Sequence, residues 1–443
     1  MNFLLENATI VSNNPTREIF RGSVRVEKDR ITAIGKKLKA KPREKRINLD
    51  GQILIPGFVQ THVHLCQTLF RNLADDLQLL DWLKERIWPM EGAHTEKSLY
   101  ASARLGIAEL LSSGTTTILD MGTVRHTDAI FTAADEMGIR AFIGKCLMDR
   151  NDCPKELREP TAQALKENLD LISRWHGKAN GRLRYANAPR FVISCTEGLL
   201  KDLRSLSEEK NLLVHTHASE NREEIKIVQS MTGKKNIAYL DHLGLANERL
   251  VLAHCVWVDE DEQSLLAKTK TKVSHCPSSN LKLASGIAPV PTFRKAGISV
   301  SLGADGAPCN NNLNMFQEMR LASLIQKPVH GPTTMTAQEV FEMATLEGAE
   351  ALGLAHEIGS IEIGKRADLV AISLDKLHSA GGSDEAKSIY SSIAYACTPS
   401  NVTHTWVDGR LVYQAKSGKV GGVSSEQILQ DAKRERRKLL QKI

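Results

Sequence analysis

Histidines and carboxylates recur at the ends of short apolar runs in this chain of 443 residues. The stretch "QTHVHLCQTLFR" (60–71) sets His62 and His64 one residue apart, after the run Ile53–Leu54–Ile55 and the turn Pro56–Gly57. The run "LLVHTHASE" ends in His215, His217 and Glu220, "LVLAHC" in His254, "TKVSHC" in His275 and "ISVSLGADG" in Asp305. Six of the 14 histidines thus fall at run ends, which random placement would rarely produce. Alternate residues of a strand share a face, so His62 and His64 point to one side. Two such rings can bind one metal ion. His217 and Asp305 would add a nitrogen and a carboxylate oxygen, a set that suits one zinc ion per chain, with Fe2+ as the alternative. A metal so held lowers the pKa of bound water toward neutrality, and the site then needs a proton shuttle. Glu220, three residues after His217, can lie near the metal without being a ligand and carry that proton. His254 is expected to orient water and to stabilise charge on the attacked atom, and Asp305 to act as both ligand and base. The expected chemistry is hydrolytic attack on an electrophilic carbon. Any one of these histidines alone reads as a core or surface residue. The argument rests on the set.

The elements that must position these groups are legible as a pattern. Eight β-branched apolar runs, "ILIPGFVQTHVH", "GTTTILDM", "IRAFIGKCLM", "LRYANAPRFVIS", "LLVHTHASE", "LVLAHC", "TKVSHC" and "ISVSLGADG", are separated by helical stretches such as "TEKSLYASARLGIAELLSS". Repeated strand–helix units imply a parallel sheet, and eight of them over 53–355 favour a closed (β/α)8 barrel, whose active site lies at the C-terminal strand ends. Residues 1–52 and 356–423 read as short strands, including "GSIEIGKRADLVAIS" and "VTHTWVDGRLVYQ". They are expected to form a small β-sandwich made from both chain ends. Residues 424–443 read as an amphipathic helix.

Composition narrows the class. The chain is 42% hydrophobic and 25% charged, with no apolar stretch long enough to span a membrane. The N-terminus lacks the pattern of a secretory signal. A net charge of +6, spread over this length, reads as solvated surface, so no nucleic-acid partner is expected. The eight cysteines form no CxxC pair and read as reduced thiols of a cytoplasmic protein.

"PGFVQTHVH", "HTHASE", "LAHC", "GADGAPCNNN" and "GSIEIGKRADLV" resemble, in order, the motifs of the amidohydrolase superfamily from about Ile10 to Asp408. The branch resembled most is the mononuclear zinc-dependent aminohydrolases, which act on guanine, on methylthioadenosine and S-adenosylhomocysteine, or on triazines. The resemblance implies His62, His64, His217 and Asp305 as metal ligands, with Glu220 and His254 in proton transfer. No lysine for a second metal stands in "ANAPRFVIS", which argues against a binuclear site. The HxE and PCxxC pattern of cytidine-type zinc deaminases is missing as well. Dimers or higher homo-oligomers are common in the branch, so a homo-oligomer is expected.

Pocket motifs divide the branch. Gln67 in "HVHLCQ" and Arg190 in "APRF" resemble the guanine deaminases, where such residues hold the base edge, and they favour a guanine-like or pterin-like base. "SSNLKLASGIAPV" and "GADGAPCNNNLNMFQEMRLASLIQK" instead resemble the methylthioadenosine/S-adenosylhomocysteine deaminases and the triazine hydrolases. Trp82 is a candidate to stack on a flat ring, with Trp88 as an alternative, and Asp81 to meet a sugar hydroxyl. The expectation is a hydrolytic deaminase of an amino-substituted nitrogen heterocycle, a small-molecule substrate, leaning to guanine or a pterin. The nucleoside and triazine substrates are the alternatives. A non-catalytic scaffold on the same barrel would have lost ligands or the shuttle, and all of them are present.

Overall fold

The chain ends meet in one sheet, and the middle closes into a barrel, in a computed structural model that describes residues 2–382 and 385–443. Strands β1 (Asn2–Val11), β2 (Ile19–Glu27), β3 (Arg30–Gly35), β4 (Lys45–Asn48) and β5 (Gln52–Pro56) open the chain. The barrel strands follow: β6 (Phe58–His64), β7 (Thr115–Asp120), β8 (Arg140–Ile143), β9 (Cys146–Leu147), β10 (Leu183–Pro189), β11 (Leu213–Ala218), β12 (Leu250–His254), β13 (Lys272–His275), β14 (Val300–Leu302) and β15 (Asp305–Gly306). After the barrel come β16 (Leu369–Ser373), β17 (Val402–Val407), β18 (Arg410–Gln414), β19 (Lys419–Val420) and β20 (Val423–Ser424).

All barrel pairings are parallel. Two barrel strands come in halves. β8 and β9 both pair with β10. β14 pairs with β13, and after two residues β15 pairs with β6 through Asp305 and Val63. That second broken strand closes the eight-stranded barrel and delivers Asp305 beside the His62–His64 strand. Gly303 sits in the break, where a Cβ would lie 2.7 Å from the His62 carbonyl oxygen and 2.8 Å from the His62 Cβ. Strand β6 is buried along its whole length, as expected of a parallel strand covered on both faces.

The sheet from the chain ends runs β20-β19-β18-β17-β16-β5-β1-β2-β3, with β4 on β1. Its apolar side packs Leu5, Ile10, Val24, Leu54, Leu369 and Trp406. One expectation is corrected here. The run Ile53–Leu54–Ile55, read as the start of the first barrel strand, belongs to this sheet, where β5 pairs antiparallel with β16 and parallel with β1. An unbroken apolar run carries no period that tells one buried sheet from another. The barrel proper begins after Gly57.

Two helices back the site. Helix Glu96–Ser112 starts at a capping box of Thr95 and Ser98. The C-terminal helix Ser425–Leu440 lies against it, with Arg104 3.3 Å from Asp431. Among the described residues, no helix is long and apolar enough to cross a membrane. All eight cysteines are buried free thiols.

Candidate active site

The barrel brings His62, His64, His217 and Asp305 together at the C-terminal strand ends. His62 Nε2 and His64 Nε2 lie 3.2 and 3.4 Å from Asp305 Oδ1, and His64 Nε2 lies 3.3 Å from His217 Nε2. Their surroundings fix which nitrogens carry lone pairs. A backbone carbonyl only accepts, so His217 Nδ1–H donates to Arg190 O at 2.6 Å and leaves Nε2 bare. His215 Nδ1–H likewise donates to Val251 O at 3.2 Å. Its Nε2 must then accept from His62 Nδ1–H at 2.8 Å, and His62 Nε2 is bare as well. Two bare imidazole nitrogens therefore sit in one buried cluster, that of His62 against the Asp305 carboxylate and that of His217 against His64, and His62 Nε2 has no hydrogen-bond partner among the described residues. Lone pairs so placed repel unless a cation lies among them. Burial, then the neighbouring imidazoles, pushes His64 and His217 well below the usual histidine value, so both are the neutral rings that ligation needs. The donor set fits a zinc-type cation, and the outward hydrogen bonds of His62 and His217 are those that orient ligating rings.

Glu220 and His254, the residues expected to handle protons, lie beside this cluster. His254 Nε2 stands 3.5 Å from Glu220 Oε2 and 3.8 Å from Asp305 Oδ2. Burial raises the Glu220 carboxyl to about 7, partly opposed by the imidazole of His254. Burial also works against a charged His254, but Glu220 and Asp305 outweigh it and raise its basicity. His254 and Asp305 both take left-handed backbone, at φ 75° and 61°, a conformation that costs about 1–3 kcal/mol in a residue with a Cβ. That strain turns the chain out of the strand where these side chains are needed.

The remaining strand-end histidines separate into two roles. His215 backs His62, as described. His275 is fully buried at the end of β13, apart from the cluster, and burial lowers its value to about 3.

A pocket of about 460 Å³, counted out to its mouth, opens onto these groups. Leu79, Leu80, Trp82, Leu83, Phe191 and Leu283 form its apolar wall. Most of that wall comes from the helical stretch 79–92, which is interrupted by a π-turn at Leu83–Ile87. Trp82 lines the pocket as expected. Asp81 does not: it is half-buried and accepts from Gln78 Nε2 at 2.8 Å. Adjacent helical residues point about 100° apart, so the turn that aims Trp82 inward carries Asp81 away. Trp88 is also outside the lining.

Gln67 and Arg190 both line the pocket, but a residue missed in the sequence holds them. Glu91 Oε2 receives Arg190 Nη1 at 2.6 Å, and Glu91 Oε1 receives Gln67 Nε2 at 2.8 Å. All three side chains are buried. The signal was a lone carboxylate inside the apolar stretch "IWPMEG". The guanidinium fork assigned to a guanine-like base is thus already spent on a carboxylate. Gln67 keeps only Oε1 unpaired.

The family model described as the amidohydrolase family matches residues 53–412. The chain is 38% identical to a 5′-deoxyadenosine deaminase of Methanobrevibacter smithii, over 97% of this chain and 96% of that one. It is 37% identical to a 5-methylthioadenosine/S-adenosylhomocysteine deaminase of Symbiobacterium thermophilum, over 93% of each. Among solved structures, a zinc-bound adenosine deaminase from Xanthomonas campestris superposes with a TM-score of 0.91 at 29% identity, over 99% of this chain and 98% of the other. A guanine deaminase of E. coli superposes with a TM-score of 0.85 at 30% identity, over 94% and 99%.

Proposed function

The chain belongs to the amidohydrolase family and is a hydrolase of C–N bonds in cyclic amidines; from that premise we propose that it deaminates an adenine nucleoside with an uncharged or modified 5′ position. The observation that carries this reading is the pairing of Glu220 and His254 across a His/Asp cluster, at the foot of a pocket with no free cationic fork. Beside the histidines, Arg190 is the cation of the described lining, and Glu91 neutralises it. A 5′-phosphate would find no partner there, whereas the leucines, Trp82 and Phe191 suit a flat base and an apolar 5′ group. The unpaired Gln67 Oε1 and Trp82 Nε1 offer one acceptor and one donor for hydroxyls or ring nitrogens. The deaminases at 37–38% identity, named for 5′-deoxyadenosine and for methylthioadenosine and S-adenosylhomocysteine, support the same class. The lean toward guanine or a pterin loses its support, because the clamp it relied on is closed on Glu91.

In this reading His62, His64, His217 and Asp305 would hold one zinc ion, which when bound would supply a Lewis acid. Glu220, poised near neutrality, would carry two protons in turn: one from the attacking water to the ring nitrogen beside the amino-bearing carbon as the C–O bond forms, and one from the added hydroxyl to the amino group as the C–N bond breaks and ammonia leaves. His254, between Glu220 and Asp305, stabilises charge growing on the attacked carbon's substituent. The apolar wall keeps bulk water from the reacting carbon.

The test is metal analysis of the purified protein together with ammonia release from 5′-deoxyadenosine, methylthioadenosine, S-adenosylhomocysteine, adenosine, guanine and isoxanthopterin. Bound zinc and turnover of the adenine nucleosides are expected. Turnover confined to guanine or the pterin would reinstate the base reading.

A further inference from the structure

The segment after β13, "SSNLKLASG", plays no part in the chemistry above, yet three of its side chains reach three of the acting groups. Ser279 Oγ donates to Asp305 Oδ2 at 2.7 Å. Asn280 Oδ1 lies 2.8 Å from His254 Nδ1 and accepts from it. Ser285 Oγ donates to Glu220 Oε1 at 3.4 Å. All three residues are buried.

The backbone explains how one segment serves three partners. Residues 278–280 lie in the short helix Pro277–Lys282, where successive side chains diverge by about 100°. Ser278 faces away and anchors the helix to the buried carboxyl of Glu318, with Oγ at 2.5 Å and its backbone N–H at 3.2 Å. Glu318 also receives Asn310 Nδ2 at 2.9 Å, and the same amide donates to Ala304 O at 2.7 Å, next to Asp305. The segment is therefore tied to the strand that carries Asp305. The Asn280 carbonyl then accepts from the N–H groups of Ser285 and Gly286, at 2.9 and 3.3 Å. That turn folds the chain back and presents Ser285 to Glu220. Trp257 Nε1 holds the turn from outside, donating to Ser285 O at 2.7 Å.

We propose that Asn280 and Ser285 are positioning residues for the proton-transfer pair, fixing the ring plane of His254 and the carboxylate rotamer of Glu220 from one rigid segment. Neither lines the pocket itself; each touches it only through His254 or Glu220, so they act on turnover and leave substrate binding alone. The inference rests on the deaminase reading.

The test compares Asn280→Leu, which removes the acceptor at similar volume, with Asn280→Asp, which keeps it, and adds Ser285→Ala. For Asn280→Leu, kcat on the best substrate is expected to fall about 10–100-fold, the usual effect of losing such an outer hydrogen bond. KM and zinc content should stay near wild type, and Asn280→Asp should recover most of kcat. Ser285→Ala should lower kcat about twofold, the low end for a hydrogen bond as long as 3.4 Å, and stands as the test if Asn280→Leu does not fold. An active wild type whose kcat is unmoved by Ser285→Ala and Asn280→Leu overturns the inference alone. So does a change confined to KM or to zinc content. A wild type that releases no ammonia from any substrate of the panel removes the functional reading, and this inference with it.

Discussion

At the scale of single residues, the site separates groups that hold charge from groups that move it. His62 and His217 are locked by their outward hydrogen bonds into tautomers that leave Nε2 bare, so they are fitted to ligate and not to shuttle. Glu220 is different. It has one weak hydrogen bond, from Ser285, and burial raises its carboxyl to about 7. A carboxyl near neutrality can both take and give a proton. Glu220→Gln keeps shape and neutral hydrogen bonding but ends proton exchange. It should cost about 10²–10⁴-fold in kcat, the usual worth of one acid–base group, with zinc content unchanged by elemental analysis. Loss of zinc in that variant would make Glu220 a ligand. The Glu91–Arg190 pair calls for the opposite expectation. Both groups are buried, so Glu91→Gln leaves the guanidinium charge uncompensated in the apolar wall. Its effect should fall on stability and KM together, a drop in Tm accompanied by weaker substrate binding.

At the scale of elements, the proposed ligands could be picked out because a barrel turns sequence into position. Residues at strand ends meet at one rim, and the strand's period of two put His62 and His64 on one face. What stayed hidden was anything set by contacts between elements. Glu91 lies 99 residues from Arg190, and no local pattern links them. Asp81 and Trp82 were both assigned to the pocket, although Asp81 falls on the side of its helical turn opposite Leu79, Leu80, Trp82 and Leu83. The broken eighth strand was hidden too, because only the packing shows why Gly303 must be glycine. A Cβ there meets backbone and Cβ atoms of His62 at under 3 Å, none of them the end of a flexible side chain. Gly303→Ala should therefore shift β6 against β15 and weaken metal binding, read as zinc lost on dialysis, more than it lowers Tm. At the start of helix Glu96–Ser112 the Thr95–Ser98 capping box does purely local work. Thr95→Ala should lower stability by about 1 kcal/mol with kcat unchanged.

At the scale of the whole molecule, charged side chains fasten the barrel to the sheet made by the chain ends. Arg140, at the start of β8, is fully buried and bonds Asp368 at 2.8 and 3.0 Å while also pairing with Asp408. Replacing it with Leu strands the Asp368 carboxylate in the interior, leaves Asp408 with Arg366 alone, and should cost about 3–5 kcal/mol in denaturant unfolding. Glu357 makes the second fastening. It accepts from Arg366 at 2.5 Å on the way into β16 and from Arg184 at 2.9 Å on β10. Burial opposes its charge, but the two arginines win and lower its carboxyl to about 2. A value depressed in the folded state means that unfolding takes up a proton at acid pH. The stabilisation is complete above the ordinary glutamate value near 4.5 and drains away as pH falls toward 2. Glu357→Gln cannot titrate. The Tm gap between wild type and this variant should be constant from pH 5 to 8, and should close between about pH 4.5 and 2. A gap that persists unchanged at low pH would mean that Glu357 contributes through packing and neutral hydrogen bonds, with its charge playing no part in joining barrel to sheet.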